Sequence, residues 1–206
     1  MIICKKLKQL REILADKNSN RLGDFAILKS DLLGAKVSPE IASQLAAVVG
    51  YYPLIDLKKL SQYPQDTFGR EYADHMKANH LQALNISSEL EEIAKNNVFA
   101  LRYAITHDIF HVLLGFDTSY AGEIGVLAFA SAQNYSQSLK ISLWFAKFLY
   151  PLLAPQQIKQ IFANLKKGKE LGKKAEFMLG YRFEEHWEDN IADLQHRLGL
   201  PVSKNG

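Results

Sequence analysis

Residues 97–135 restrict the fold more than any other stretch, because a helix stop and a helix start stand only a few residues apart inside it. If the chain is helical from about Asn97, Gly115 is a common C-terminal breaker, and Ser119 is a good N-cap for a second helix. Phe116, Asp117 and Thr118 are left as the turn. So short a connection joins antiparallel neighbours, and residues equally far from the turn then face each other. His111 and Glu123 each lie six residues from Asp117.

On such a helix His107 and His111 stand one turn apart, and Asp108 lies about 100° round from His107 but only about 60° from His111. The three side chains share one face, and the mirrored turn sets Glu123 opposite it. Two imidazoles with one or two carboxylates suit Zn²⁺, Fe²⁺ or Mn²⁺, whereas a site using mainly the carboxylates also suits Mg²⁺. His-x-x-x-His alone is as readily a pair of surface histidines beside solvated acids. Asp108 and Glu123 tilt the reading toward one divalent-metal site.

The 206 residues suffice for one domain with a substantial core, and residues 1–206 read as a single domain containing the 97–135 pair. An apolar share of 48% and a charged share of 23% describe a globular chain. A lone cysteine, Cys4, closes no internal disulfide and points to a reducing compartment. The net charge of +3, with no patch interleaving bases and aromatics, gives no reason to expect nucleic acid. Met1 to Lys6 lacks the apolar core of a signal peptide and the Arg- and Ser-rich character of a transit sequence. With no apolar run of about eighteen residues either, a cytoplasmic protein is expected.

Helical spacing recurs along the chain. It covers residues 5–16, with a loop from Asp16 to Gly23. It resumes from Ser38-Pro39-Glu40 through Val49, closed by Gly50, and again through Phe68, Tyr72 and Met76 after a polar stretch in which Pro64 forbids a long helix. Ser87 to Glu92 is a helix start with acids in its first turn. Residues 124–133 are small and apolar, and 137–153 are rich in large apolar groups, with Pro151 and Pro155 as terminators. A final helix is expected from Lys174 to Leu198, with acids at 184, 185, 188 and 189 on its wet face. Hairpin turns and β-branched runs are missing, so the fold class is all-α.

His75 and His80 lie five apart, about 140° round a helix, and read as ordinary surface or loop histidines. His186, Glu188 and Asp189 read as a solvated face. Lys166 to Lys174 holds five lysines, either a solvated stretch or a contact for an anionic lipid or substrate. Phosphate-binding loops, Cys-x-x-Cys and Gly-x-Ser-x-Gly do not occur, which removes the common nucleotide, redox-dithiol and serine-hydrolase readings.

Thr106-His107-Asp108-Ile109-Phe110-His111, eleven residues, then Glu123 resembles the signature of the ubiquinone (coenzyme Q) biosynthesis protein four family. The likeness extends to Gly69-x-x-Tyr72-Ala73-x-x-Met76, Leu101-Arg102-Tyr103, Tyr181-x-x-Glu184-x-x-Trp187-Glu188 and Leu198-Gly199-Leu200. The resemblance implies an all-helical protein peripheral to a membrane, acting on a polyprenylated aromatic precursor of a quinone. It implies oxidative removal of the ring carboxyl with a hydroxyl left in its place, and assembly with other quinone-biosynthesis proteins. His107, Asp108, His111 and Glu123 carry over as metal ligands, with zinc the first choice of cofactor and magnesium, iron and manganese left open. No catalytic residue beyond these ligands is assigned.

The density of large apolar residues predicts an isoprenoid groove beside the site, lined by Leu127, Ile141, Trp144, Phe145 and Phe148. Partners are then an isoprenoid lipid, quinone-biosynthesis proteins and a membrane surface, and a homodimer is compatible. Two rival readings stand beside this metal-dependent decarboxylase or hydroxylase. One is a non-catalytic prenyl-lipid scaffold. The other is a His-Asp metal phosphohydrolase, which would have to recruit His75, His80 and Asp193.

Overall fold

A computed structural model of the chain describes residues 8–13, 22–32, 34–84, 86–87 and 90–202. Cys4, most of the Asp16–Gly23 loop and the start at Ser88-Glu89 lie outside these residues. Ten α-helices are described: α1 (residues 8–13), α2 (Leu22–Leu32), α3 (Leu57–Leu60), α4 (Phe68–Ala78), α5 (Glu91–Asn96), α6 (Val98–Leu114), α7 (Tyr120–Ala132), α8 (Gln137–Leu153), α9 (Ile158–Lys174) and α10 (Ile191–Arg197). Among the described residues there is no strand, only an isolated bridge between Thr67 and Asn190. The protein is a single all-α domain.

The α6–α7 pair forms as its local chemistry dictates. Asn97 accepts the Ala100 N–H at 3.1 Å and opens α6. Gly115 closes it at φ +64°, a left-handed position that costs glycine least. The Ser119 hydroxyl accepts the Gly122 N–H at 3.3 Å and opens α7. Gly122 passes so near the Asp117 carbonyl that no side chain would fit there, which keeps the turn tight.

The main core joins Phe68, Tyr72 and Met76 of α4, Ile109, Phe110 and Leu113 of α6, and Phe129 of α7 to Met178, Leu179 and Phe183. A smaller cluster packs Ile124 and Ala128 of α7 against Leu143 and Ala146 of α8 and Ile161 of α9. Glycines let α7 and α9 touch backbone to backbone. A side chain at Gly168 would overlap the Gly125 carbonyl, and one at Gly172 would come within 2.6 Å of the Phe129 carbonyl.

Three expected elements differ. Pro39–Val48 forms a 3-10 helix rather than an α-helix, and Ser38 gives it no side-chain cap. Pro151 lies inside α8 instead of ending it, although the helix runs only two residues further, to Leu153. The long final helix is absent: α9 stops at Lys174, and only Ile191–Arg197 is helical beyond it, apart from a 3-10 turn at Phe183–Glu185. Residues 175–190 instead wrap the core with buried Met178, Leu179 and Phe183. Their carbonyls also satisfy the start of α4, with Phe68 N–H to Asp189 and Gly69 N–H to Trp187 at 2.8 Å each. A continuous helix would leave those donors without these partners.

Helix α8 buries Leu139, Leu143 and Ala146 and turns Ile141, Trp144, Phe145, Phe148 and Leu152 outward. Among the described residues no helix is long and apolar enough to cross a membrane.

Candidate metal centre

His107 and His111 project from α6 toward Glu123 in the first turn of α7. The His107 Nε2 lies 3.3 Å from Glu123 Oε2, and the His111 Nε2 lies 3.3 Å from Glu123 Oε1. The two Nε2 atoms are themselves 3.3 Å apart. Ligand atoms at the corners of a tetrahedron around an ion, each about 2.0–2.1 Å from it, are separated by roughly 3.3–3.4 Å. The separation of the two Nε2 atoms matches that edge, while the histidines meet different oxygens of Glu123. With one donor atom from each residue the group lies within 4.8 Å, so a small turn of the carboxylate would bring one oxygen to a shared ion.

The orientation of His111 supports the same reading. Its side chain is fully buried, and its Nδ1 is 3.1 Å from the Phe116 carbonyl. When that nitrogen donates to the carbonyl, Nε2 of the neutral ring carries its lone pair toward His107 and Glu123, as a ligating imidazole must. His107 is held less tightly, with Tyr103 edge-on against it at 5.7 Å between ring centres.

Proton affinities reflect this crowding. Burial opposes ionisation of Glu123, but hydrogen bonds from both histidines outweigh it and hold the carboxyl down to about 2. Burial alone would lower the His111 proton affinity, yet the Glu123 carboxylate and the Phe116 carbonyl raise it. Tyr103 and Tyr150 are pushed upward, by burial first and then by the Glu123 charge, so both phenols keep their protons beside the site.

The possible metal-binding group among the described residues is His107, His111 and Glu123, with one donor atom from each within 4.8 Å of the others. Asp108 is half-buried outside that group. Its charge acts on Tyr72 and His75 of α4 as well as on His111.

His75 is not the free surface histidine its spacing suggested. It is partly buried and stacks on His111, with ring centres 5.9 Å apart and planes 19° apart. Burial, then the neighbouring His111, lowers its proton affinity. Only the packing of α4 on α6 brings the two rings together, and nothing in the spacing of His75 signals it. Tyr103, four residues before His107, was within reach of a helical reading, and Tyr150 on α8 was not. The structure brings neither His80 nor Asp193 into the group, and Asp193 is exposed on α10.

Of the residues expected to line a groove, Leu127 is half-buried between the two core clusters. Ile141, Trp144, Phe145 and Phe148 are 52–59% exposed on the outer face of α8. They form a surface patch, because α8 turns its opposite face, with Leu143 and Ala146, to α7 and α9. His186 and Asp189 pair at 2.9 Å, and Arg197 joins them. Within the lysine run, Lys167 lies 4.8 Å over the Phe116 ring and reaches the Leu114 carbonyl at 3.4 Å.

The family model described as "Coenzyme Q (ubiquinone) biosynthesis protein Coq4" matches residues 50–203. Curated relatives named "Ubiquinone biosynthesis protein COQ4 homolog, mitochondrial" include one from Xenopus tropicalis, 27% identical over 147 residues, or 71% of this chain and 51% of the relative. One from Rattus norvegicus is 30% identical over 71% of this chain and 55% of the relative. One from Drosophila erecta is 31% identical over 72% and 55% respectively. The chain thus spans about half the length of the curated relatives it matches. A crystal structure from Nostoc punctiforme shares the fold, with a TM-score of 0.65 over 96% of each chain at 23% identity.

Proposed function

Because the chain belongs to the Coq4 family of coenzyme Q (ubiquinone) biosynthesis proteins, we propose that it binds a prenylated aromatic acid at a divalent-metal site. His107, His111 and Glu123 hold the ion in this reading, and Asp108, which stands outside that group, is the second carboxylate of the signature. The observation that carries it is the convergence of two Nε2 atoms and one carboxylate at 3.3 Å, half-open to solvent. A divalent ion there would supply Lewis acidity toward a substrate carboxylate or phenolate oxygen.

The protein's own groups account for the rest of the binding. The protonated phenols of Tyr103 and Tyr150 are hydroxyl donors suited to orienting a substrate oxygen. The outward aromatic face of α8 takes the isoprenoid tail or the membrane surface that carries it, in place of an internal groove. Each buried methylene of a tail contributes about 0.8 kcal/mol.

The reaction we assign is replacement of the ring carboxyl by hydroxyl. With water as the oxygen source, the ring–carboxyl bond breaks, CO₂ leaves, a ring–oxygen bond forms, and two electrons and two protons are lost. An oxidant of the dioxygen class must accept them.

Conversion of a prenylated hydroxybenzoate by the purified protein, with Zn²⁺, Fe²⁺, Mn²⁺ or Mg²⁺ supplied in turn under air, tests the assignment. Turnover with at least one ion is expected, together with loss of turnover in Glu123→Ala while tail binding persists. A second reading, a prenyl-lipid scaffold for other quinone-biosynthesis proteins, is favoured by the breadth of the exposed α8 face. It becomes the better one if substrate binds, no ion supports turnover, and Glu123→Ala still restores quinone synthesis in cells lacking the protein.

A further inference from the structure

Helix α4 forms the back of the metal centre. Behind the stacked rings of His75 and His111 lies a cavity of about 400 Å³, also lined by Glu71, Asp74, Asn79 and Gln195. The His111 side chain is itself fully buried, and two contacts orient its ring. One is its Nδ1 to the Phe116 carbonyl at 3.1 Å, and the other is the flat face of His75.

Asn79 couples the two. Its amide nitrogen donates to the His75 carbonyl at 2.8 Å, and its Oδ1 accepts the Thr118 hydroxyl at 2.7 Å. Thr118 lies in the same turn as Phe116, so the end of α4 and the acceptor of the His111 ring are tied into one unit.

We propose that His75 is a positioning residue for the metal centre: it keeps the His111 Nε2 aimed at the point shared with His107 and Glu123, and the Asn79–Thr118 bond holds the stack in register. The inference rests on the metal reading above. Partners that orient a ligating imidazole are typically worth about 10–100-fold in metal affinity. The His75 Nε2 is buried without a hydrogen-bond partner. Stacking, rather than hydrogen bonding through that nitrogen, is therefore the property that matters, and phenylalanine should replace it.

The test titrates Co²⁺ into the metal-free protein and follows its visible absorption band, with circular dichroism to confirm folding. Wild-type protein is expected to bind one equivalent. His75→Ala should bind about 10-fold more weakly with an altered band, and His75→Phe should return to within about threefold of wild type with the native band. If His75→Ala does not fold, Thr118→Val takes its place, with an expected loss of about threefold. A wild-type protein that takes up no Co²⁺ overturns the metal reading itself. A wild type that binds, beside His75→Ala (or its substitute) unchanged in affinity and band, or His75→Phe as weak as His75→Ala, overturns the positioning role alone.

Discussion

Arg102 and His107 stand five residues apart on α6, about 140° round the helix from each other, and each anchors a charged cluster. Around Arg102 every contact ends inside the protein. Its guanidinium donates to Glu184 at 2.8 Å, to the Tyr181 carbonyl at 2.7 Å and to the Tyr51 carbonyl at 3.4 Å. The two side chains are 0% and 2% exposed. Around His107 the polar atoms face one another across 3.3 Å, with His107 and Glu123 30% and 34% exposed. The first cluster has spent both terminal nitrogens of Arg102, though not its buried Nε, on protein acceptors, and so holds residues 175–190 against α6. The second keeps lone pairs convergent and accessible, and that is what a ligand-binding group needs. Charge alone separates structure from function poorly; saturation and access separate them well.

The largest expected effect comes from opening the closed cluster. Glu184→Ala leaves a buried guanidinium without its carboxylate, and removing one member of a buried pair costs about 3–5 kcal/mol. Urea denaturation should show that loss. The double change Arg102→Met with Glu184→Leu should recover most of it, because no unpaired charge stays buried. A loss under about 1 kcal/mol for Glu184→Ala would mean that the pair does not clamp the segment.

Opening the accessible cluster should do the reverse, changing binding more than stability. His107→Ala is expected to cost only about 1 kcal/mol in metal-free protein, since the side chain is partly in water. A divalent ion at about 100 times its Kd should stabilise the wild type by about 2.7 kcal/mol. Glu184→Ala should retain that increment, because its partners are not shared with the histidines, and His107→Ala should lose it. Denaturation of the three proteins with and without Zn²⁺ decides the matter: an increment that disappears in Glu184→Ala makes the two clusters one.

The same contrast explains what was legible in the sequence. Gly115, Ser119 and the equal spacing of His111 and Glu123 about Asp117 are local signals, and short-range geometry alone brings the two side chains to 3.3 Å. Glu184 lies 82 residues from Arg102, and His75 lies on a separate helix from His111, so chain spacing says nothing of either pairing. The expected helix over Lys174–Leu198 failed for a related reason. Apolar residues in that stretch serve the core from an irregular path, anchored by Arg102 and by the start of α4, both distant in sequence. For α8, a helix apolar on nearly all sides predicts burial as readily as exposure. The packing of Leu143 and Ala146 against α7 and α9, contacts distant in sequence, leaves Trp144, Phe145 and Phe148 on the outward face.

A third cluster probes which of the two properties sets the energy. The Asp189 carboxylate accepts from Arg197 and His186 at 2.9 Å each, both on Oδ2, so like Glu184 it takes two charge-assisted bonds, yet it is 31% exposed. Burial opposes its ionisation, but the bonds from Arg197 and His186 prevail and hold it below the ordinary aspartate value of 3.8. A carboxyl depressed in the folded state adds stability above its unfolded value, and that stability is lost as pH falls through the folded one. Asp189→Asn should therefore cost less than about 1 kcal/mol at neutral pH, the smallest effect of the three. The backbone bond from Phe68 to the residue 189 carbonyl is untouched by the change. The gap between wild type and variant should hold steady down to the unfolded value and close below it, which denaturation at pH 7, 5 and 3 would show. A gap as large as that of Glu184→Ala, or one unchanged at pH 3, would mean that bonding rather than burial fixes the worth of these charges.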